Sequence, residues 1–358
     1  MESLVVDPAF WRNKRVLLTG HTGFKGGWLA LWLQKMQAQV FGLALAPATK
    51  PSLFELADIA EDMHSDFGDI TDFARVQECF QQARPDIVIH MAAQALVRYA
   101  YQQPLQTYQT NVIGTLHVLE CIRQSETVKA AVLVTTDKCY ENREWGWPYR
   151  ENDSLGGYDP YSSSKACMEL LVASYRNSYF SREAATAIAT VRAGNVIGGG
   201  DWSEDRLLPD LIKAVNSKQA IHVRSPNAVR PWQHVLEPLS GYLILAERLF
   251  LYGHDYAEAW NFGPGPEASK SVRWIIEQVA GIWPDLDWQI DAQTHPHEAN
   301  ILKLDCSKAR ERLSWHGKWS LQDSLSRTLE WYQVQMTGIN MKRFTLQQIS
   351  DYQRLGEF

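Results

Sequence analysis

The chain has 358 residues, 45% hydrophobic and 21% charged, which is enough apolar side chain for a sizeable core and leaves disorder out of account. A net charge of −6 provides no basic field for a phosphate backbone, so a nucleic-acid partner is not expected, whereas a phosphorylated small molecule needs only a local site. No apolar run reaches the roughly 18 residues of a membrane span and the N-terminus lacks a signal-peptide pattern, so a cytoplasmic protein without a membrane partner is expected.

In chain order, Arg15–Thr19 (RVLLT) is an apolar, β-branched strand that stops at Gly20. A helix-compatible stretch carrying Trp28, Leu29, Leu31, Trp32, Leu33 and Met36 follows, and 39–45 (QVFGLAL) is the next strand. This is a βαβ unit. Further strands are expected at 86–90 (DIVIH), 130–135 (AAVLVT) and 187–191 (AIATV), with helices at 104–125 and 161–180 between them, which predicts a Rossmann-type, doubly wound parallel α/β sheet. Beyond about residue 195, glycine and proline interrupt the pattern often. The expected division is a dinucleotide-binding lobe over 1–194 and a smaller substrate lobe over 195–338, with 231–262 returning to the first lobe and 339–358 as a tail. Cys79, Cys121, Cys139, Cys167 and Cys306 are scattered and odd in number, which predicts reduced thiols and no metal site.

Gly20-His21-Thr22-Gly23-Phe24-Lys25-Gly26 occupies the first strand-to-helix turn, where backbone N–H groups can hold a pyrophosphate. The second strand lacks the acidic residue that normally takes the adenosine ribose: 43–50 reads LALAPATK, so the usual argument for NAD over NADP is missing. Asp69 and Ile70 are candidates for the adenine contact. Tyr161 and Lys165 are four apart on one helix face, and a neighbouring ammonium favours a phenolate, so Lys165 is expected to lower the tyrosine pKa. With Thr136 after the strand at 130–135 they make a proton-transfer device.

Together with His90-Met91-Ala92-Ala93-Gln94 and Asn111-Val112-Ile113-Gly114-Thr115, these motifs match in order and spacing, and the chain resembles the extended short-chain dehydrogenase/reductase family over essentially 14–332. The resemblance implies a bound NAD, with Ala92 and Ala93 beside it, and a nucleotide-sugar substrate. In Thr135-Thr136-Asp137-Lys138 an acid/base pair follows the threonine directly, as in the 4,6-dehydratases of the family and unlike its 4-epimerases. Most dehydratases have Asp-Glu there. Asp-Lys, and the 192–202 run RAGNVIGGGDW, resemble the dehydratases that act on CDP-glucose.

By that resemblance Tyr161 and Lys165 serve oxidation at C4, Lys138 removes the C5 proton and Asp137 protonates the leaving C6 hydroxyl. This requires a neutral Lys138 and a protonated Asp137, so the pair can share one proton and exchange roles. Asn195, Arg206, Arg230 and His297 are the candidates for the nucleotide end, the two arginines because a guanidinium matches phosphate oxygens. A homodimer through the 104–125 and 161–180 helices is implied, with a tetramer open, and deoxysugar building for surface polysaccharide is the suggested setting. A UDP-, dTDP- or GDP-sugar dehydratase, a 4-epimerase and a noncatalytic NAD(H) sensor remain as alternatives.

Overall fold

The computed structural model describes residues 5–181, 186–291 and 301–355. Seven parallel strands form the central sheet: β1 (Arg15–Thr19), β2 (Gln39–Ala44), β3 (His64–Phe67), β4 (Ile87–His90), β5 (Ala130–Val134), β6 (Ala187–Arg192) and β7 (Ala259–Asn261), in the spatial order β3-β2-β1-β4-β5-β6-β7. β4, β5 and β6 are buried at every residue, as strands covered on both faces must be, and this explains their unbroken apolar runs. The strand order reverses between β1 and β4. A crevice therefore opens beyond the carboxyl ends of those two strands, the usual ligand position in such sheets.

The helices around the sheet and in the second lobe include α1 (Phe24–Lys35), α2 (Thr115–Gln124), α3 (Pro160–Ser178), α4 (Leu207–Ser217), α5 (Leu236–Tyr252), α6 (Leu321–Met336) and α7 (Met341–Arg354). Residues 26–33 of α1 are all buried, because α1 lies between the sheet and α7. Its sequence is accordingly apolar all round rather than along one stripe. α7 occupies part of the range expected to be a tail. Met341, Ile349 and Tyr352 anchor it in the core, and Asn340 caps it by accepting from the Arg343 N–H.

The helix expected at 104–125 runs through Pro104–Tyr108, a π-turn at Gln109–Gly114 and α2. The π-turn brings Asn111 inward, where its amide exchanges hydrogen bonds with the Gln94 backbone (2.8 and 3.0 Å) and donates to Ser164 Oγ at 2.8 Å. One side chain thus ties the loop after β4 to α3. α5 and β7 rejoin the main sheet, while α4, Val272–Ile282 and short strand pairs such as Ile221–Val223 with Trp288–Ile290 form the second lobe. Among the described residues no helix is long and apolar enough to cross a membrane.

Candidate active site

The first strand-to-helix turn is shaped by its glycines. Gly20 has φ +81°, and a Cβ there would lie 2.7 Å from the Ala92 nitrogen; a Cβ on Gly26 would lie 2.0 Å from the Gly20 carbonyl oxygen. A Cβ on Gly23 would make only an ordinary contact, 3.4 Å from the Gly20 carbonyl oxygen, and Gly23 caps α1 without any side chain. The first-turn amides of α1 are therefore left for an anion, and the turn fits a dinucleotide pyrophosphate. Thr22 Oγ1 donates to the Leu45 carbonyl at 2.8 Å, which fixes the turn to the end of β2. The His21 ring is buried against Gly42, with Nε2 2.7 Å from Ser65 Oγ, and burial lowers its pKa to about 4.

The loop after β4 is set by a chain of hydroxyls around His90. Thr19 Oγ1 accepts from the Met91 and Ala92 amides (3.0 and 3.1 Å), so its own proton goes to His90 Nδ1 at 2.7 Å. Thr115 Oγ1 donates to the Asn111 carbonyl and so accepts from His90 Nε2 at 3.0 Å. The partners select one neutral tautomer, and burial lowers the ring pKa to about 3. Ala92 and Ala93 are thereby presented to the crevice above Gly20. Asp69 and Ile70 follow β3: Asp69 Oδ1 accepts from the Thr71 amide at 2.8 Å, and Ile70 is buried against Gly114.

Beyond β5 the chain makes a short turn, Asp137–Cys139, preceded by Thr136. α3 begins beside it, capped by Asp159, which accepts from the Ser162 amide at 3.0 Å, with Pro160 in the first turn. Thr136, Asp137, Tyr161 and Lys165 are all buried and Lys138 is half-buried, so the five residues expected to act together are brought to one place. Asp137 is wedged against the main chain. Its Oδ1 accepts from Thr136 Oγ1 at 3.1 Å, its Oδ2 has no partner among the described residues, and a Cβ on Gly194 would lie 1.8 Å from that oxygen. A cavity of about 250 Å³ opens next to the turn, lined by Lys138, Tyr140, Asn142, Tyr158 and Ser162 among others.

The electrostatics differ from the simple expectation for Tyr161 and Lys165. Burial pushes the Tyr161 phenol up to about 12, with Thr136 and Arg206 pulling the other way. The Lys165 Nζ donates to the Val134 carbonyl at 3.1 Å and to Met168 Sδ at 3.7 Å. Burial and the nearby Lys25 bring Lys165 down to about 7, and Lys25 itself falls to about 8 through burial and Arg206.

Arg206 reaches this end of the crevice, paired with buried Asp201 at 3.5 Å. Asn195 follows Gly194 with φ +43°, and its carbonyl accepts from the Gln233 amide. Arg230 lies on Val229–Pro231, paired with Ser269–Ser271. His297 and its neighbours Glu298 and Asn300 lie outside the described residues. Gly194, Thr135 and the buried Glu169–Arg192 pair were not singled out from sequence. Glu169 had one usable signal, a charge one turn after Lys165 on the face that carries Tyr161. Among the described residues there is no cluster of three or more His, Cys, Asp or Glu side chains arranged to hold a metal ion.

Sheet order, glycine turn and the Tyr161–Lys165 pair define an extended short-chain dehydrogenase/reductase with a Rossmann-type core. Within that class the chain belongs to the GDP-mannose 4,6-dehydratase family, whose model matches residues 17–328. It is 50% identical to the CDP-glucose 4,6-dehydratase of Salmonella typhimurium over 97% of this chain and 98% of that protein. It is 27% identical to the dTDP-glucose 4,6-dehydratase of Xanthomonas campestris over 90% of this chain and 94% of that protein. Among solved structures, the epimerase Mth375 of Methanothermobacter thermautotrophicus superposes with a TM-score of 0.80 at 22% identity, covering 93% of this chain and 96% of that one. DesIV of Streptomyces venezuelae, a dTDP-glucose 4,6-dehydratase with NAD bound, superposes with a TM-score of 0.76 at 21% identity, covering 89% and 96%. An epimerase and a dehydratase overlay similarly well, so the fold alone does not separate the two reactions.

Proposed function

We propose that the protein is an NAD-dependent CDP-D-glucose 4,6-dehydratase, forming CDP-4-keto-6-deoxy-D-glucose and water. The observation that carries the reading is the acid/base pair Asp137-Lys138 on the turn beside Tyr161 and a cavity, in a chain half identical to a CDP-glucose 4,6-dehydratase. A 4-epimerase has no use for a second acid/base pair there.

NAD, held by the Gly20–Gly26 turn, by Ala92 and Ala93 and by Asp69 and Ile70, supplies reversible removal of the C4 hydrogen. The protein's own groups do the rest. Thr136 orients the sugar 4-hydroxyl and Tyr161 takes its proton, with Lys165 at the nicotinamide ribose. The 4-ketone acidifies C5. Lys138, whose half-buried side chain lines the cavity, removes the C5 proton while Asp137 protonates the departing C6 hydroxyl; the hydrogen taken from C4 would then return at C6 and a proton from Lys138 at C5, which completes the 6-deoxy product. The unpartnered Oδ2 of Asp137 supports this role, because a buried carboxyl oxygen without a protein partner is available for a substrate hydroxyl. Asn195, Arg206 and Arg230 hold the diphosphate, the arginines through paired N–H donors, and His297 is assigned to the nucleotide from the sequence.

A homodimer is supported by exposed Leu105, Ile113, Leu170 and Tyr179 on the 104–124 helix and around α3. Five free cysteines, four of them buried, favour a cytoplasmic setting, and the product class suits deoxysugar supply for surface polysaccharide such as O-antigen.

The test is incubation with NAD⁺ and, separately, CDP-, UDP- and dTDP-glucose and GDP-mannose in deuterated water, read by mass and proton NMR. Loss of water with deuterium at C5 from CDP-glucose alone is expected. A C4 epimer without mass loss would overturn the reading, and cofactor binding without turnover would indicate an NAD(H) sensor.

A further inference from the structure

The turn that carries Asp137 and Lys138 has few bonds of its own. The last short ladder bond of β5 is Thr135 N–H to the Val191 carbonyl at 2.9 Å; beyond it, Asp137 N reaches the Ala193 carbonyl, and Lys138 N reaches Thr136 Oγ1, only at 3.4 Å each. At the far end the Cys139 carbonyl accepts from the Gly156 amide at 2.9 Å, so Thr136 to Lys138 is set by what holds the two ends of the turn.

Besides the backbone bonds to Ser154 and Gly156 at the exit, one buried ion pair reaches both ends. Glu169 and Arg192 are each 3% exposed at the side chain, with Arg192 Nε 2.8 Å from Glu169 Oε1 and Nη2 2.9 Å from Oε2. On the entry side, Thr135 Oγ1 donates to Glu169 Oε1 at 2.5 Å. On the exit side, Arg192 Nη1 donates to the Tyr140 hydroxyl at 2.7 Å, which donates onward to Asn261 Oδ1 at 2.7 Å. Two further bonds touch no residue of the turn: Arg192 Nη1 donates to the Glu151 carbonyl at 3.1 Å, and Thr190 Oγ1 donates to Glu169 Oε2 at 2.7 Å on the sheet side.

A buried pair of this kind is weak evidence for stability, since desolvation offsets much of the attraction, but with both carboxylate oxygens and all three guanidinium nitrogens hydrogen-bonded it fixes geometry. We propose that Glu169 and Arg192 are positioning residues for the Asp137–Lys138 turn, gripping it through Thr135 at its start and Tyr140 at its end.

The proposal rests on the dehydratase reading, in which oxidation uses Tyr161 on α3 with Thr136 where the turn begins, and elimination uses Asp137 and Lys138 within the turn. Loosening either grip should therefore slow elimination more than oxidation. Three variants that each delete one hydroxyl of the network separate this from a general structural role. Thr135→Val and Tyr140→Phe release the turn; Thr190→Val removes the bond that faces away from it.

With NAD⁺ and CDP-glucose, T135V and Y140F should lose roughly tenfold or more in kcat, the effect of deleting a hydrogen bond to a charged group, with KM within about twofold. Under single turnover both should accumulate the absorbance of reduced nicotinamide, and Thr135→Ser should restore turnover. T190V should lose comparable thermal stability yet turn over like wild type without accumulation. Activity loss that follows melting temperature alike in all three variants, or slow turnover in T135V and Y140F without reduced nicotinamide, overturns the positioning role. A Tyr161→Phe enzyme with wild-type turnover would instead overturn the underlying reading.

Discussion

Gly194→Ala should disable the elimination step while leaving the fold in place. The added Cβ would stand 1.8 Å from Asp137 Oδ2 and 2.3 Å from its Cγ, where real Cβ atoms essentially never come closer than 3.0 Å. Oδ2 must therefore retreat by at least about 1.2 Å, the difference between those two separations. Asp137 is only 2% exposed and its Oδ1 is held by Thr136, so the carboxylate cannot swing into solvent; it has to turn away from the substrate side or push the turn outward. A misplacement of about 1 Å at a reacting group costs on the order of 100-fold in rate, whereas overpacking of this size costs the fold about 1–3 kcal/mol. Steady-state turnover of CDP-glucose beside a thermal melt measures the two separately. Repeating the substitution in an Asp137→Ala background isolates the cause, because the clash vanishes with the carboxylate and G194A should then cost no further activity. Wild-type kcat in G194A, or the same rate penalty with Asp137 already gone, would refute the reasoning.

The glycines of the cofactor turn should separate binding from folding. Gly23→Ala, whose Cβ meets nothing nearer than 3.4 Å, should melt near wild type yet bind NAD⁺ about tenfold or more weakly by calorimetry, because the methyl group stands where the anion approaches α1. Gly26→Ala, with its Cβ 2.0 Å from the Gly20 carbonyl oxygen, should lower the melting temperature itself; the opposite ranking of the two would count against the pyrophosphate site. Glu247 accepts from Trp11 Nε1 at 2.6 Å and the Asp7 amide at 3.1 Å, and burial pushes its carboxyl up to about 8 from 4.5. A folded-state pKa above the unfolded one gives stability that is complete below the unfolded value and lost as pH rises through about 8. Glu247→Gln keeps an acceptor oxygen and cannot ionise, so its melting temperature relative to wild type should climb by several degrees between about pH 5 and about pH 9, and a pH-independent offset would contradict the burial argument. For Tyr161, the tyrosinate absorbance of wild type minus Tyr161→Phe should titrate near 12 in the free protein and at least about two units lower with NAD⁺ bound; an unmoved midpoint would exclude cofactor activation of the phenol.

The elements that carry the fold were legible because burial on both faces writes itself as continuous apolar runs: β1 was bounded from sequence at Arg15–Thr19, and β5 differs by one residue at its end. β3 (His64–Phe67, HSDF) was not, since an edge strand with no buried residue has no hydrophobic pattern to read. The range assigned to a tail hid α7, whose polar outer face masks the buried Met341, Ile349 and Tyr352. In the site, the residues proposed to act on the substrate follow fixed local spacings, as Tyr161 and Lys165 do, and local spacing is what a sequence displays. Gly194 is different: its importance is that Asp137, 57 positions earlier, lies where its Cβ would be, and Arg192 likewise meets Glu169 only after β6 and α3 have packed. Such contacts are created by tertiary structure.

The charges around the crevice point to a site whose proton-transfer groups are set by what binds there. Lys25, Lys165 and Arg206 crowd one end, opposed by Asp137 and Asp201, and burial together with this mutual repulsion brings Lys165 to about 7 and Lys25 to about 8. Meanwhile burial holds Tyr161 near 12, protonated and unable to accept a proton. An anion entering beside these cations favours their charged forms and so takes up protons. A fully charged Lys165 is in turn what the neighbouring phenol needs in order to ionise. The spacing of the pair on α3 places the lysine one turn from the tyrosine, and the coupling expected from that spacing is predicted to develop only when an anion fills the crevice, which the Tyr161 titration with and without NAD⁺ measures.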